Sequence, residues 1–287
     1  MTIAITGASG ALGRATAQAV LSTVDPRDVV LTTRHPDQLE DLAALGALVR
    51  RADFTDPLSL DAAFTGVDRL LLVSTEAGAM RLDQHRAAIA AALRAGVGHV
   101  VYTSIPEPTP ENPGSVVPDH AATEQALRTS GMRWTMLRNN LYTHMQIPVV
   151  EQAAASGRLV TNTGTAGTAY VTREDCAAVA AAVLTGSGHE AAIYDITGNA
   201  AIRATDLATL AAELGDHEVD IVPVDDASFA GGLRDAGMPA DTVELVTTLG
   251  AAGRGGFLAG VSTAVADLTG RAPTGFQDAV RGAHHVD

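Results

Sequence analysis

The sequence predicts an α/β protein built on a doubly wound parallel sheet. Three observations point that way. The chain opens on a short apolar segment, Thr2-Ile3-Ala4-Ile5-Thr6, that runs into Gly7-Ala8-Ser9-Gly10-Ala11-Leu12-Gly13 and then into an Ala-rich helical stretch. Apolar runs and helical patterns alternate through the first half, which is the signature of strand–helix–strand units. The runs Leu70-Leu71-Leu72-Val73 and Val100-Val101-Tyr102 are apolar without alternation, as strands covered on both faces must be. Together they describe a Rossmann-type sheet, followed by a small, mostly helical C-terminal lobe.

The elements follow in order. Strands are expected at 2–6, 28–33, 47–50, 68–73, 98–103 and 133–138, and helices near 11–23, 36–45, 57–64, 80–95 and 119–130. The second half is less regular. A helix near 142–155 precedes a short strand at Leu159-Val160-Thr161, and a helix from Thr172 to about Leu184 precedes a strand at Ala192–Ile196. An Ala/Leu-rich helix then runs from Ala204 to Leu214, a strand covers Val219–Val222, and several helices follow. Gly253–Gly256 and Arg271-Ala272-Pro273 read as loops, and His284-His285 as a chain end rather than a metal pair.

Composition narrows the function. The formal net charge is −14, which argues against nucleic-acid binding and makes local positive charge the marker of any anionic ligand. The single Cys176 rules out an intramolecular disulfide, no signal segment precedes the first strand, and no apolar run is long enough for a bilayer. A cytoplasmic protein without membrane partners is expected. All 19 residues counted as Lys or Arg are arginines. Schiff-base chemistry, a Walker-type phosphate loop and a Tyr-x-x-x-Lys acid pair are therefore excluded.

The opening turn is the most informative motif. Glycines at 7, 10 and 13 let backbone approach a pyrophosphate, and Ser9, Ala11 and Leu12 stand where a helix N-terminus offers N–H donors. An ordinary tight strand-to-helix turn is the bland alternative. Arg34 follows the second expected strand, where an acidic residue would favour NAD(H); an arginine suits a 2′-phosphate and so NADP(H). A solvated loop arginine is the alternative there. Asp53 and Phe54 end the third strand, placed to accept an adenine amino group and to cover the ring, although Asp53 also suits a helix cap. Ser74 and Thr75 end the fourth strand where a ribose would pass, and Thr103-Ser104 ends the fifth, close to where a nicotinamide would lie. Residues 1–141 are accordingly expected to form an NADP(H)-binding domain. Residues 142–287 form a mixed region. About 170–200 would return to the sheet, and about 142–168 and 203–287 would form a substrate lobe.

With these residues placed, the chain resembles the NmrA-like group of atypical short-chain dehydrogenases over nearly its whole length. Within that group it is similar to NADPH-dependent quinone oxidoreductases and triphenylmethane reductases. The resemblance rests on Ile3–Gly10, Gln84-His85-Arg86, Val101–Ser104, His120–Glu124, Leu137–Thr143, Val160–Asn162, Val171–Asp175 and Gly188–Glu190. It implies that the glycine turn, Arg34, the Asn139–His144 stretch and Arg173 meet the cofactor, with Asn139 and Tyr142 beside the nicotinamide and substrate. Tyr142 as a packing residue is the plain alternative. The chain departs from related quinone reductases at Gln125, where they carry a lysine; the resemblance implies that triphenylmethane reductases lack it too. His120 and Glu124 share a helix face, so His120 is expected either as a substitute proton donor or as half of a surface pair.

The expected activity is hydride transfer from NADPH to a flat, electrophilic, conjugated molecule such as a quinone or a triphenylmethane-type cation. Such acceptors need little proton assistance, so the missing lysine is tolerable. Tyr142, Asn139, His120 and Thr103 are the candidate catalytic residues. The alternatives are a non-catalytic NADP(H) sensor with a protein partner, and a biosynthetic ketoreductase or isomerase. A homodimer is compatible with either, and no metal site is expected.

Overall fold

The computed structural model describes residues 1–76 and 78–284. His285, half of the expected chain-end pair, lies outside them. Seven strands form one sheet: β1 (Ile3–Ile5), β2 (Val29–Thr33), β3 (Leu48–Arg51), β4 (Arg69–Leu72), β5 (His99–Ser104), β6 (Arg133–Asn139) and, after an intervening β7 (Arg158–Thr161), β8 (Ala192–Ile196). A ninth strand, β9 (Asp220–Pro223), pairs with β7 in a separate two-stranded sheet. The large sheet runs β3-β2-β1-β4-β5-β6-β8, and all its pairings are parallel. The sheet is the doubly wound one read from the sequence.

The helices are α1 (Ala11–Leu21), α2 (Glu40–Ala44), α3 (Pro57–Phe64), α4 (Arg81–Arg94), α5 (Val117–Thr129), α6 (Ile147–Ser156), α7 (Arg173–Thr185), α8 (Ala204–Gly215), α9 (Asp226–Asp235), α10 (Ala240–Arg254), α11 (Ala264–Thr269) and α12 (Phe276–His284). Strand side chains alternate between two buried faces. Ile3, Ile5, Leu31, Leu71 and Val101 pack with α1 and α7 through Ala17, Val20, Val179 and Val183. Ala4, Val30, Leu70, Leu72, Val100 and Tyr102 pack with α3, α4 and α5 through Phe64, Ile89 and Leu127. A third cluster joins α6, α8 and α12 to β7 through Val150, Leu159, Leu207, Leu210, Phe276 and Val280.

Three elements differ from the sequence reading. The expected helix over 36–45 is a 3-10 turn at Pro36–Leu39 and then α2, with Leu39 at the junction turned fully into the core. The expected helix from 142 starts at Ile147, because Tyr142 bridges Val171 and the Thr143 N–H donates to the Val171 carbonyl; Tyr142 is held extended there, a 3-10 turn covers Thr143–Met145, and the α-helix begins only at Ile147 with Pro148 in its first turn. Gly253 is not loop: α10 runs through Arg254, which clasps Asp226 with both guanidinium arms, and the turn begins at Gly255.

The parallel order has one crossover that matters. Chain direction across the sheet reverses between β1 and β4, and the crevice beyond the carboxyl ends of such strands is where ligands bind in this architecture. The opening turn sits there. Gly7 has φ 58°, a left-handed conformation that glycine adopts without strain, and its carbonyl accepts from the Gly10 N–H at 2.9 Å. A Cβ on Gly13 would overlap the Gly7 carbonyl, so α1 can pack against the turn only because Gly13 has no side chain. Gly13→Ala is expected to force α1 away and to cost about 1–3 kcal/mol, as overpacking a tight contact does. Denaturant unfolding checks it; an unchanged midpoint would mean that α1 shifts freely.

Candidate functional site

Every strand of the expected constellation ends on one edge, so residues far apart in sequence meet there. Gly7 and Gly10 are exposed, and no side chain caps α1. The first N–H groups of that helix therefore point outward with the positive end of its dipole. Ser9 shares a 2.9 Å hydrogen bond with Thr33 at the end of β2, which ties the turn to the neighbouring strand. Leu12 turns into the core and anchors the helix start.

Arg34 follows β2, is exposed, and forms no hydrogen bond or ion pair among the described residues. Asp53 lies close enough that its carboxyl is held below the usual range, first by hydrogen bonds from the Thr55 side chain and backbone and then by the charges of Arg51 and Arg34. Asp53 does not cap α3. Asp56 does, accepting from the Ser59 N–H at 3.3 Å. Phe54 is half-buried against the second core cluster. Three other arginines of the nucleotide half are committed elsewhere: Arg14 to Asp41 and the Gln38 carbonyl, Arg50 to the Ala63 and Thr65 carbonyls, and Arg51 to Asp56.

Beyond β4, β5 and β6 lies a cavity of about 210 Å³. Ser74, Thr103, Ser104, Asn139, Tyr142, Arg81 and His120 supply its polar wall, and Ile105, Val116, Leu141, Met145, Leu245 and Leu249 its apolar one. Leu245 and Leu249 come from α10, so the C-terminal region closes the cavity over the strand ends. The Ser74 N–H donates to Thr103 Oγ1 at 2.8 Å, locking β4 to β5. Thr75 donates its N–H to His85 Nε2 and so is tied back to α4. Asn139 donates a long 3.4 Å hydrogen bond to the Tyr142 hydroxyl, and its Oδ1 is buried without a partner. Tyr142 stacks on His144 and lies 5.7 Å beneath the Arg173 guanidinium. Burial raises the Tyr142 phenol above its ordinary range, so it stays protonated near neutral pH.

His120 and Glu124 are not a surface pair; both are buried and they face different partners. Arg81 Nη2 stands 2.7 Å from His120 Nε2, and the Tyr102 hydroxyl lies 2.8 Å from Nδ1. A guanidinium only donates, so Nε2 accepts and the ring proton sits on Nδ1. Burial, reinforced by the Arg81 charge, holds His120 well below its ordinary pKa and therefore neutral. Glu124 accepts from Ser104 at 2.7 Å and from Arg128 and Arg138 at 2.8 and 2.9 Å. Burial pushes its pKa up, but the hydrogen bonds from Arg138 and Ser104 outweigh that and lower it.

The strand-end features fit a dinucleotide. The glycine turn leaves an uncapped helix end, Arg34 is available for a phosphate, and the orphaned Asn139 Oδ1 is an acceptor suited to an amide donor. Gly7, Ser9, Gly10, Ala11, Leu12 and Gly13 form one end of the crevice. Arg34, Asp53 and Phe54 form the adjoining corner, and Ser74, Thr75, Thr103, Asn139, Tyr142 and Arg173 line the other end. Sequence reasoning missed Arg81 and the α10 residues. Arg81 carried one legible signal, a cation at the first turn of a helix, where the dipole disfavours it. The contribution of α10 had none. Among the described residues no group of His, Cys, Asp and Glu could hold a metal, and no helix is long and apolar enough to cross a membrane.

Residues 7–187 match the family model described as NAD(P)H-binding. Quinone oxidoreductase 2 of Escherichia coli is 32% identical over 285 residues, covering 99% of each chain. The solved structure of an NADPH-dependent quinone oxidoreductase from Escherichia coli complexed with NADPH superposes with a TM-score of 0.94, at 32% identity and full coverage of both chains. The Citrobacter sp. triphenylmethane reductase complexed with NADP(H) gives 0.92, at 31% identity, covering 99% of this chain and 100% of the other.

Glu124→Gln removes the charge that two guanidiniums share. The arginines are partly exposed, so the expected loss lies toward the low end of the about 3–5 kcal/mol for breaking a buried pair. Because the folded-state pKa is depressed, that stability is complete above the ordinary carboxylate range and is lost as pH falls through the folded value. The difference between wild type and Glu124→Gln in denaturant unfolding should be full at pH 7 and shrink below about pH 4. A pH-independent difference would contradict it.

Proposed function

The chain belongs to the NAD(P)H-binding family, and from that premise we propose that it is an NADPH-dependent reductase that passes hydride to a conjugated electrophilic acceptor such as a quinone. One observation carries the reading. A cavity of about 210 Å³ opens where Ser74, Thr103, Asn139 and Tyr142 converge at the strand ends, on the sheet edge that also holds the uncapped glycine turn.

NADP(H), when bound, supplies the hydride; the protein's own residues do the rest. Gly7, Ser9, Gly10, Ala11, Leu12 and Gly13 hold the pyrophosphate on backbone N–H groups. Arg34 pairs with the 2′-phosphate and Phe54 covers the adenine, with Asp53 at its amino edge. Ser74 and Thr75 flank the ribose. Thr103, Asn139 and Tyr142 orient the reacting ring and the acceptor, and Arg173 stacks over Tyr142. The apolar wall from α10 and the segment around Met145 excludes water and fits a flat ring.

The acid chemistry of the site is weak, which matches easily reduced acceptors. No lysine lowers the pKa of Tyr142, and burial raises it. His120 reads better as a support for Arg81 than as a proton donor, since its Nε2 is already an acceptor. A quinone gaining hydride places negative charge on oxygen, which water protonates readily. A simple ketone would yield an alkoxide, which needs a stronger donor than this site has.

Steady-state reduction of menadione, followed as loss of NADPH absorbance, tests the reading. Turnover is expected; tight NADPH binding with no turnover of menadione, other quinones or malachite green would favour a cofactor sensor instead. Arg34→Glu should weaken NADPH binding by about 10- to 100-fold through loss of a charge-assisted contact and leave NADH binding nearly unchanged. Calorimetric titration with each cofactor separates the two, and equal losses would contradict a 2′-phosphate role.

A further inference from the structure

The acceptor cavity contains a buried cation that cofactor binding does not explain. Arg81 is 5% exposed, yet among the described residues it forms no ion pair with a carboxylate. Among the described residues its one side-chain hydrogen bond is the 2.7 Å contact from Nη2 to His120, and its Nε is buried with no partner. It lines the cavity beside Ser74, Thr103 and Ser104. It also opens α4, where the helix dipole opposes a positive charge.

Each of these is costly for a folded chain. A buried arginine is ordinarily paired, because an uncompensated charge loses its hydration without recovering it. Here the rings that surround it are neutral. His120 and His85 are both held far below their ordinary pKa, His85 to about 3, by burial and then by the Arg81 charge. Tyr102 stays protonated. The Asp119 charge favours the protonated guanidinium, but burial outweighs it and the two form no ion pair. His120 accepts from one guanidinium arm and is itself fixed by Tyr102, so the guanidinium is oriented but not neutralised.

We propose that Arg81 is the acceptor-recognition residue of this site, binding an acceptor oxygen that carries or gains negative charge during reduction. The inference rests on the reductase reading above and narrows it. Quinones and other conjugated carbonyl compounds are matched to the site, and cationic triphenylmethane dyes are mismatched, since a buried guanidinium repels them. During reduction the acceptor gains hydrogen with both bonding electrons from the nicotinamide, which is oxidised by the same two electrons. The electron pair displaced from the conjugated system settles on the acceptor oxygen. Arg81 stabilises that charge there, and a proton from water completes the hydroquinone. The guanidinium acts as a donor and charge, never as the proton source. His120 is a positioning residue in this scheme. The negative net charge of the chain makes such a local cation necessary for any acceptor with anionic character.

The test compares wild type, Arg81→Gln and Arg81→Lys on three probes. These are menadione as a neutral quinone substrate, malachite green as a cationic substrate, and lawsone, a quinone that is anionic at neutral pH, as a binding probe on NADP⁺-loaded protein. Arg81→Gln should lower kcat/KM for menadione by about 10- to 100-fold, the worth of a charge-assisted hydrogen bond, and weaken lawsone binding by a similar factor. It should leave malachite green unchanged or improved and NADPH affinity intact, and Arg81→Lys should recover much of both losses. Equal losses for menadione and malachite green with lawsone binding unchanged would overturn the proposal. Wild type alone provides a readout that needs no variant to fold: lawsone must bind more tightly than menadione, and absence of that preference also overturns it. If wild type reduces nothing, the reductase reading fails, while lawsone affinity still decides whether Arg81 is an oxyanion site.

Discussion

Parallel pairing of seven strands is the constraint on which the site depends. Each strand needs a covering connection before its parallel neighbour, so every carboxyl end emerges on one edge and every return passes across a face. Gly7, Arg34, Asp53, Ser74, Thr103 and Asn139 follow or end six different strands, yet they line one crevice for this reason alone. The close approach of α1 to the Gly7 carbonyl sets where that crevice begins. The Ser74–Thr103 bond and the Thr6 Oγ1 that accepts from the Val73 N–H hold the strand ends in register across the crossover.

Charge placement gives the crevice its direction. In an acidic chain with arginine as its only strong base, a side-chain charge is free to meet an anion where an arginine lacks an internal partner. Most arginines with carboxylate partners sit at the surface, as Arg14 does with Asp41 and Arg94 with Asp61. Arg34 at the β2 end and Arg81 in the cavity do not pair this way. They stand at opposite ends of the crevice, one exposed and one buried, and this difference sets their chemistry. Water screens Arg34, so its charge is felt only at close range. Arg81 lies where the local dielectric is low and a single charge has more effect. Glu124, by contrast, spends its charge on Arg128, Arg138 and Ser104, and so stiffens the cavity wall without entering the chemistry.

Much of the fold was legible because its signals are local. Ile3–Ile5, Leu70–Leu72 and Val100–Tyr102 are strand segments whose unbroken apolar character reports burial on both faces. Helix bounds were less legible: the β-bridge from Tyr142 to Val171 and the burial of Leu39 are non-local contacts that override helical periodicity. The glycine turn and Arg34 were readable because their conformation and position relative to a strand are properties of a short segment. His120 was visible as a residue but not as an environment. Its spacing from Glu124 suggested a surface pair, whereas packing of α5 onto the sheet buried both and gave each a separate partner.

The sequence by itself determined a parallel α/β sheet, a glycine turn between the first strand and helix, an arginine directly after the second strand and the absence of a lysine acid. These follow from periodicity, glycine stereochemistry and composition, which need no knowledge of distant contacts. Only the tertiary structure decided that Leu245 and Leu249 roof the cavity, that His120 faces Arg81 rather than Glu124, and that Arg81 is buried without an ion-pair partner among the described residues. Those are consequences of which helix packs over which strand end, and burial, hydrogen-bond pairing and charge compensation exist only once the chain has closed around them.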